Sequence, residues 1–155
     1  MEKQHAYNLQ IEWTGNTGTG TSNYADYERE YEISVHGKPV ILGSSDPAFR
    51  GDKTKYNPEE LLVASLSSCH MLWYLHLCSA HGIVVEQYRE DASGIMQETS
   101  DGSGYFKEVT LKPTVKVSKP EMVAKAVDLH KTANEMCYVA KSCKFPVYHK
   151  PKVSH

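Results

Sequence analysis

At 155 residues the chain has the length of one domain, or of a tightly joined pair of lobes. A hydrophobic fraction of 40% can build an ordinary core, and a net charge of −2 implies no nucleic-acid or anionic-membrane partner. The N-terminus is polar from Glu2 to Asn8, so no export signal is expected; cysteines 69, 78, 137 and 143 then point to free thiols in a reducing, cytoplasmic setting.

In chain order, Tyr7, Leu9, Ile11 and Trp13 alternate with polar residues and predict a half-buried strand. Thr14 to Asn23 is Gly, Thr, Asn and Ser, hence a loop. Tyr27 to Val35 alternates again and puts Arg29 on the apolar face, where it is either paired or snorkels to the sheet edge. After the turn His36-Gly37-Lys38, Pro39 to Leu42 reads as a short return strand. Gly43 to Tyr56 is a loop that carries Arg50. Only three of the 17 basic residues are arginines (29, 50 and 89), and Arg is the better partner for a planar anion.

The next stretch organises the rest. Asn57 can cap a helix, Pro58 fits its first position, and Glu59 and Glu60 suit the positive end of its dipole. Gly82 suits the position just past its end. No charged residue falls between Leu61 and His81. By length such a run passes for a membrane span, but its serines, histidines and cysteines, and the lack of a flanking basic cluster, argue against one. A soluble helix that is apolar all round must be covered all round. Six short strands can cover one side; a second copy of the helix is the economical cover for the other, which predicts a homodimer. Cys69 sits mid-helix among Ser65, Ser67, Ser68 and His70, either as a small core residue or as a reactive thiol. Cys78-x-x-His81 is half a metal site with no second pair nearby, so no metal or other cofactor is expected.

Beyond Gly82, Ile83 to Val85 starts a strand. Asp91 to Met96 and Asp101 to Gly104 read as turns, the second closing a hairpin. Val109, Leu111, Val115 and Val117 alternate as a strand, with Pro113 suggesting an edge or a bulge. Ser118-Lys119-Pro120-Glu121 has the form of a capping box. Val123, Ala126, Val127, His130, Ala133 and Cys137 then mark the buried face of a helix. Phe145 to Tyr148 is a final strand or extended tail. This order of elements predicts an α+β fold with mainly antiparallel sheet.

The run Asn57-Pro58-Glu59-Glu60-Leu61-Leu62, the following Ser68-Cys69-His70, and the late Cys137-Tyr138-Val139-Ala140 together resemble the OsmC/Ohr family of thiol peroxidases. Gly43 to Asp52 looks like an OsmC-like subgroup of it. The resemblance spans nearly the whole chain. It implies one OsmC-like domain over residues 1–155, a sheet wrapped around a long central helix, and an intertwined homodimer. It implies reduction of organic hydroperoxides, with Cys69 attacking, Cys137 resolving, and Glu59 with an arginine (Arg50, or else Arg29) orienting the thiolate. The disulfide would be recycled by a dithiol reductant, dihydrolipoamide or a thioredoxin-type protein. Three positions depart from the pattern: Asn134 and Tyr138 stand where relatives carry His and Pro, and Cys143 is an extra thiol that could compete as resolver. Trp73 and Tyr74 would supply apolar walls for a bulky peroxide. The competing reading is a non-catalytic dimer of the same fold that binds a small apolar ligand or senses oxidants.

Overall fold

The computed structural model describes residues 3–155. The described chain is α+β and divides into two compact units, Met1–Leu61 and Leu62–His155.

The first unit holds a three-stranded antiparallel sheet in the order β1 (Gln10–Trp13), β2 (Tyr31–Ser34), β3 (Ile41–Gly43), with Ile33 facing Ile11 and Ile41. Both alternating stretches yield shorter strands than their patterns predict. Regular pairing stops where Gly15 brings its backbone against the Glu28 carbonyl, at a place where no Cβ would fit. Beyond it Glu28 N–H still donates to Gly15 O, 2.9 Å, and the Trp13 indole donates to Glu28 O, 2.9 Å. The half-buried strand expected at residues 7–13 is instead exposed at all four residues of β1. The loop before the central helix contains one 3-10 turn, Pro47–Phe49, capped by the Asp46 side chain.

Helix α1 (Pro58–Ala80) begins with reciprocal side-chain capping. Asn57 Oδ1 accepts from Glu60 N–H, 2.8 Å, and Glu60 Oε2 accepts from Asn57 N–H, 3.1 Å. It ends in a Schellman motif. Gly82 takes φ 68°, Ile83 N–H reaches back to Cys78 O, 2.9 Å, and Gly82 N–H to Ser79 O, 3.1 Å. By length and composition α1 could cross a membrane. Within this chain its fully buried positions are one stripe, Leu66, His70, Tyr74 and Cys78. The all-round burial expected from its composition is therefore not supplied by this chain, which covers one face.

The second unit is built on β4 (Val85–Glu98) and β5 (Gly104–Val117), a long antiparallel hairpin turning at Gly102, φ 82°. The expected turn at Asp91–Met96 is instead strand, with a register shift between Ile95 and Met96. Its polar residues sit on the solvated side of the hairpin. Gly94 is required by crowding, since a Cβ there would come within 2.7 Å of the Phe106 ring and 2.9 Å of Val63. Pro113 lies in the interior of the sheet rather than at an edge. The chain on the far side of β5 breaks opposite it: β6 (Val147–His149) runs parallel to residues 109–111 and β7 (Lys152–Ser154) parallel to residues 114–116. No donor is missed where the neighbouring strand is interrupted.

After β5 comes a 3-10 turn at Pro120–Met122, then α2 (Val123–Met136) and the short α3 (Tyr138–Lys141). The capping box expected at Ser118 does not form, because Ser118 Oγ turns to Met122 Sδ, 3.6 Å, and the 3-10 turn intervenes. On α2 the buried residues are Ala126, Leu129, His130 and Ala133; Val127 is exposed. The core of this unit is one cluster around Tyr74, Cys78, Val115, Val117 and Ala133, and a second around Leu66, Val109 and Leu111.

Candidate active site

Cys69 lies in the middle of α1 and is half-buried, with α1 unbroken through Ser65 to Ser68. Those serines do not interrupt the helix, since Ser65 Oγ donates to Leu62 O, 2.7 Å, and Ser68 Oγ to Ala64 O, 2.8 Å. Cys137 is buried, 1% exposed. It is the one extended residue between α2 and α3, with φ −69° and ψ 110°, and its Sγ accepts from Ala140 N–H, 3.4 Å, as the cap of α3.

The structure brings these two thiols together. Burial pushes the Cys137 thiol up to about 11, and the neighbouring Cys69 thiol adds to the rise, through hydrogen bonding and through charge. The amides of Ala140 and Val139 act in the opposite direction. Cys137 is accordingly a protonated thiol at neutral pH, already provided with amide donors for its anion.

The other two cysteines have different surroundings. Cys78 is in the core with Tyr74, and burial raises it. Cys143 packs beside Leu66, Val109 and Leu111, donates to Val139 O, 3.3 Å, and is raised by burial. His81 Nδ1 bonds to Leu77 O, 2.8 Å. Among the described residues no group of three His, Cys, Asp or Glu is arranged to hold a metal ion.

Next to the thiols in sequence lies a group that sequence reasoning missed. His70 Nε2 is 3.0 Å from His130 Nδ1, tying α1 to α2. Tyr74 stacks on His130 at 3.8 Å between centroids, and His149 of β6 stacks on His70 at 5.0 Å. Burial holds all three imidazoles below their ordinary value, His70 to about 4 and His130 to about 3, and each also feels neighbouring histidine charge except His149. They are neutral rings at physiological pH. In the neutral pair one ring donates and the other accepts, so the outer atoms, His70 Nδ1 and His130 Nε2, are one donor and one acceptor. Both are buried without a partner among the described residues. Because Tyr74 is fully buried, it does not form the open apolar wall expected of it; Trp73 is half-buried, with its ring edge-on to Tyr138 at 5.6 Å. His130 was visible on the periodic face of α2, but nothing in the sequence announces that His70 and His149 join it.

The expected anion-handling residues all lie in the first unit. Arg29 is paired rather than free: its guanidinium donates to the carbonyls of Tyr27 and Tyr24, the latter at 2.5 Å. It also lies over both tyrosine rings, 4.2 Å from the centroid of Tyr24 and 4.1 Å from that of Tyr27. Arg50 is the only non-glycine residue with positive φ, 66°, among the described residues, and its guanidinium is 5.9 Å from the Tyr24 ring. Glu59 is half-buried in the first turn of α1. After burial, its charge is what raises the Tyr31 phenol. Among the described residues, neither Arg29 nor Arg50 makes an ion pair with Glu59 within the chain.

Residues 51–151 match the family described as OsmC-like protein. Among solved structures, an OsmC-like protein of unknown function from Vibrio cholerae is 29% identical, with a TM-score of 0.84 over 96% of this chain and 100% of that one. An organic hydroperoxide resistance protein from Elizabethkingia anophelis shares the fold at 17% identity, TM-score 0.67, over 99% of both chains. Another from Bacillus subtilis does so at 19% identity, TM-score 0.59, over 95% of this chain and 98% of that one. No curated protein matches the sequence. This family match over most of the chain establishes that the chain belongs to the OsmC-like family.

Proposed function

We propose that the protein is a cysteine-based peroxidase that reduces organic hydroperoxides to alcohols. The observation that carries the reading is the Cys69–Cys137 pair: a half-buried thiol on a long helix, next to a buried thiol whose sulfur already faces backbone amides. The Cys69 thiolate attacks one peroxide oxygen and the O–O bond breaks. Cys69 is oxidised to sulfenic acid, and the alkoxide leaves and takes up a proton as the alcohol. Cys137 then gives up its proton, attacks the Cys69 sulfur and releases the hydroxyl as water, leaving a Cys69–Cys137 disulfide. A dithiol such as dihydrolipoamide, or a thioredoxin-type protein, returns both cysteines to thiols.

An unmodified thiol is mostly protonated at neutral pH, so a cation beside Cys69 would favour attack. On unbroken α1, Glu59 and Cys69 are about 15 Å apart along the axis and point about 80° apart. One arginine does not bridge that span comfortably. We therefore assign Glu59, and with it Arg50, to the site of the other subunit in a homodimer whose α1 helices cross antiparallel; Arg29 is already engaged by Tyr24 and Tyr27.

Peptide mapping after an equimolar dose of cumene hydroperoxide tests the chemistry. A Cys69–Cys137 crosslink within one chain is expected. A Cys69–Cys143 crosslink would assign resolution to the wrong thiol, and four unmodified cysteines would contradict the peroxidase reading.

A further inference from the structure

Two side-chain contacts tie α1 to α2 and to its C-cap, and on α1 their residues are adjacent in sequence. Cys69 and His70 are consecutive on α1. His130 lies on the face that α2 turns inward through Ala133, and Cys137, seven residues on, is the buried C-cap at which α2 ends. One bridge is the thiol pair; the other is the imidazole pair, 3.0 Å between Nε2 of His70 and Nδ1 of His130. The imidazole bridge is clamped by ring stacking on both sides, Tyr74 against His130 and His149 against His70.

We propose that His70 and His130 are positioning residues for the resolving step: their hydrogen bond fixes the end of α2, and so holds the Cys137 sulfur against Cys69. The rings touch no peroxide and move no proton in the reaction; they act through the register of two helices. The proposal rests on the assignment of Cys69 and Cys137 as the reacting pair. Three features carry it. First, α2 ends at Met136 with Cys137 as its extended C-cap, so the place of the Cys137 sulfur follows the position of the last turn of α2. Second, His130 is the polar anchor on that face; the neighbouring buried residues, Ala126, Leu129 and Ala133, pack without direction, whereas the imidazole bond specifies one register. Third, two buried imidazoles, His70 and His130, each with a nitrogen unpartnered among the described residues, are a costly way to fill a core that Leu or Phe would fill. The pair is not arranged as metal ligands: the two rings lie edge to edge, 5.3 Å between centroids and 8° from parallel, their facing nitrogens are taken up by each other, and among the described residues no third ligand converges on them.

The test is the stability of the Cys69–Cys137 disulfide, titrated with reduced and oxidised dithiothreitol and read by peptide mapping. In each equilibrium one dithiol is oxidised as the other disulfide is reduced, so the midpoint reports how well the two thiols are held together. His130→Leu removes the bond. His130→Asn can keep it, because an amide can occupy the position of Nδ1. The effective concentration of the pair is expected to fall about tenfold in His130→Leu and to recover in His130→Asn. Wild-type values in a folded His130→Leu, or equal losses in both variants, would overturn the proposal. Should His130→Leu lose its far-UV circular dichroism, His70→Met and His70→Gln give the same comparison from the other ring, Gln matching Nε2. No peroxide enters this titration. A wild-type protein that shows the expected pattern yet consumes no hydroperoxide would refute the enzyme and leave the positioning role standing; unchanged disulfide stability in an active enzyme would do the reverse.

Discussion

Four cysteines in one small chain are separated by their surroundings into different roles. Burial raises Cys78, Cys137 and Cys143 alike, but Cys137 also has amides at its sulfur and Cys69 beside it. Cys69→Ser is therefore expected to abolish hydroperoxide consumption and Cys78→Ser to leave it nearly intact, measured by loss of cumene hydroperoxide. The buried histidines also make the stability of the fold depend on pH. Their folded values lie below that of an unfolded histidine, so on acidification the unfolded chain takes up protons first. Their contribution is complete above about pH 6.5 and is lost as pH falls towards about 4 for His70 and about 3 for His130, at about 1.4 kcal/mol per pH unit for each ring. Urea unfolding between these limits should show that slope, and His130→Leu should make it shallower; a wild-type midpoint independent of pH would refute neutral burial. The places of Cys69, in a polar patch of an uncharged helix, and of Cys137, at the buried end of α2, were legible from local pattern, whereas their proposed roles rest on the resemblance. The histidine group was not, since three elements distant in sequence assemble it and no local pattern records their meeting.

Elements were legible where local chemistry decides them. Both ends of α1 follow from Asn57, Glu60 and Gly82, and the hairpin turn from Asp101 to Gly104. Asn57→Ala and Gly82→Ala should each cost about 1 kcal/mol, the first by removing the cap and the second by forcing a Cβ into φ 68°. Chemical denaturation checks both, and an unchanged midpoint for Gly82→Ala would mean that the turn relaxes freely. Elements were misread where tertiary pairing overrides local preference. Asp91 to Met96 has turn residues but is held as strand by fourteen-residue β5. β7 is three residues long and exists because β5 offers it an edge beyond Pro113. The Ser118 box had the right residues, but Pro120 opens a 3-10 turn and the serine finds Met122 instead.

At the scale of the whole molecule, α1 presents one buried stripe to its own chain, and Leu72, Val84 and Tyr138 remain exposed around it. That exposed apolar surface is the physical motive for the proposed dimer with paired central helices, and for the proposal that the partner's first turn completes the site. Complementation tests this arrangement. Cys69→Ser and Glu59→Ala proteins, each inactive alone, should regain about half of wild-type activity per heterodimer when co-refolded, because one of two sites is then intact. No recovery in a sample shown to contain heterodimers would return Glu59 to its own chain. The central claim, a thiol peroxidase for organic substrates, is tested most directly by turnover of the purified protein with dihydrolipoamide. The account predicts sustained consumption of cumene hydroperoxide, faster than that of hydrogen peroxide and absent in Cys69→Ser. Wild-type protein that consumes neither peroxide, or consumes them as well without Cys69, would contradict it.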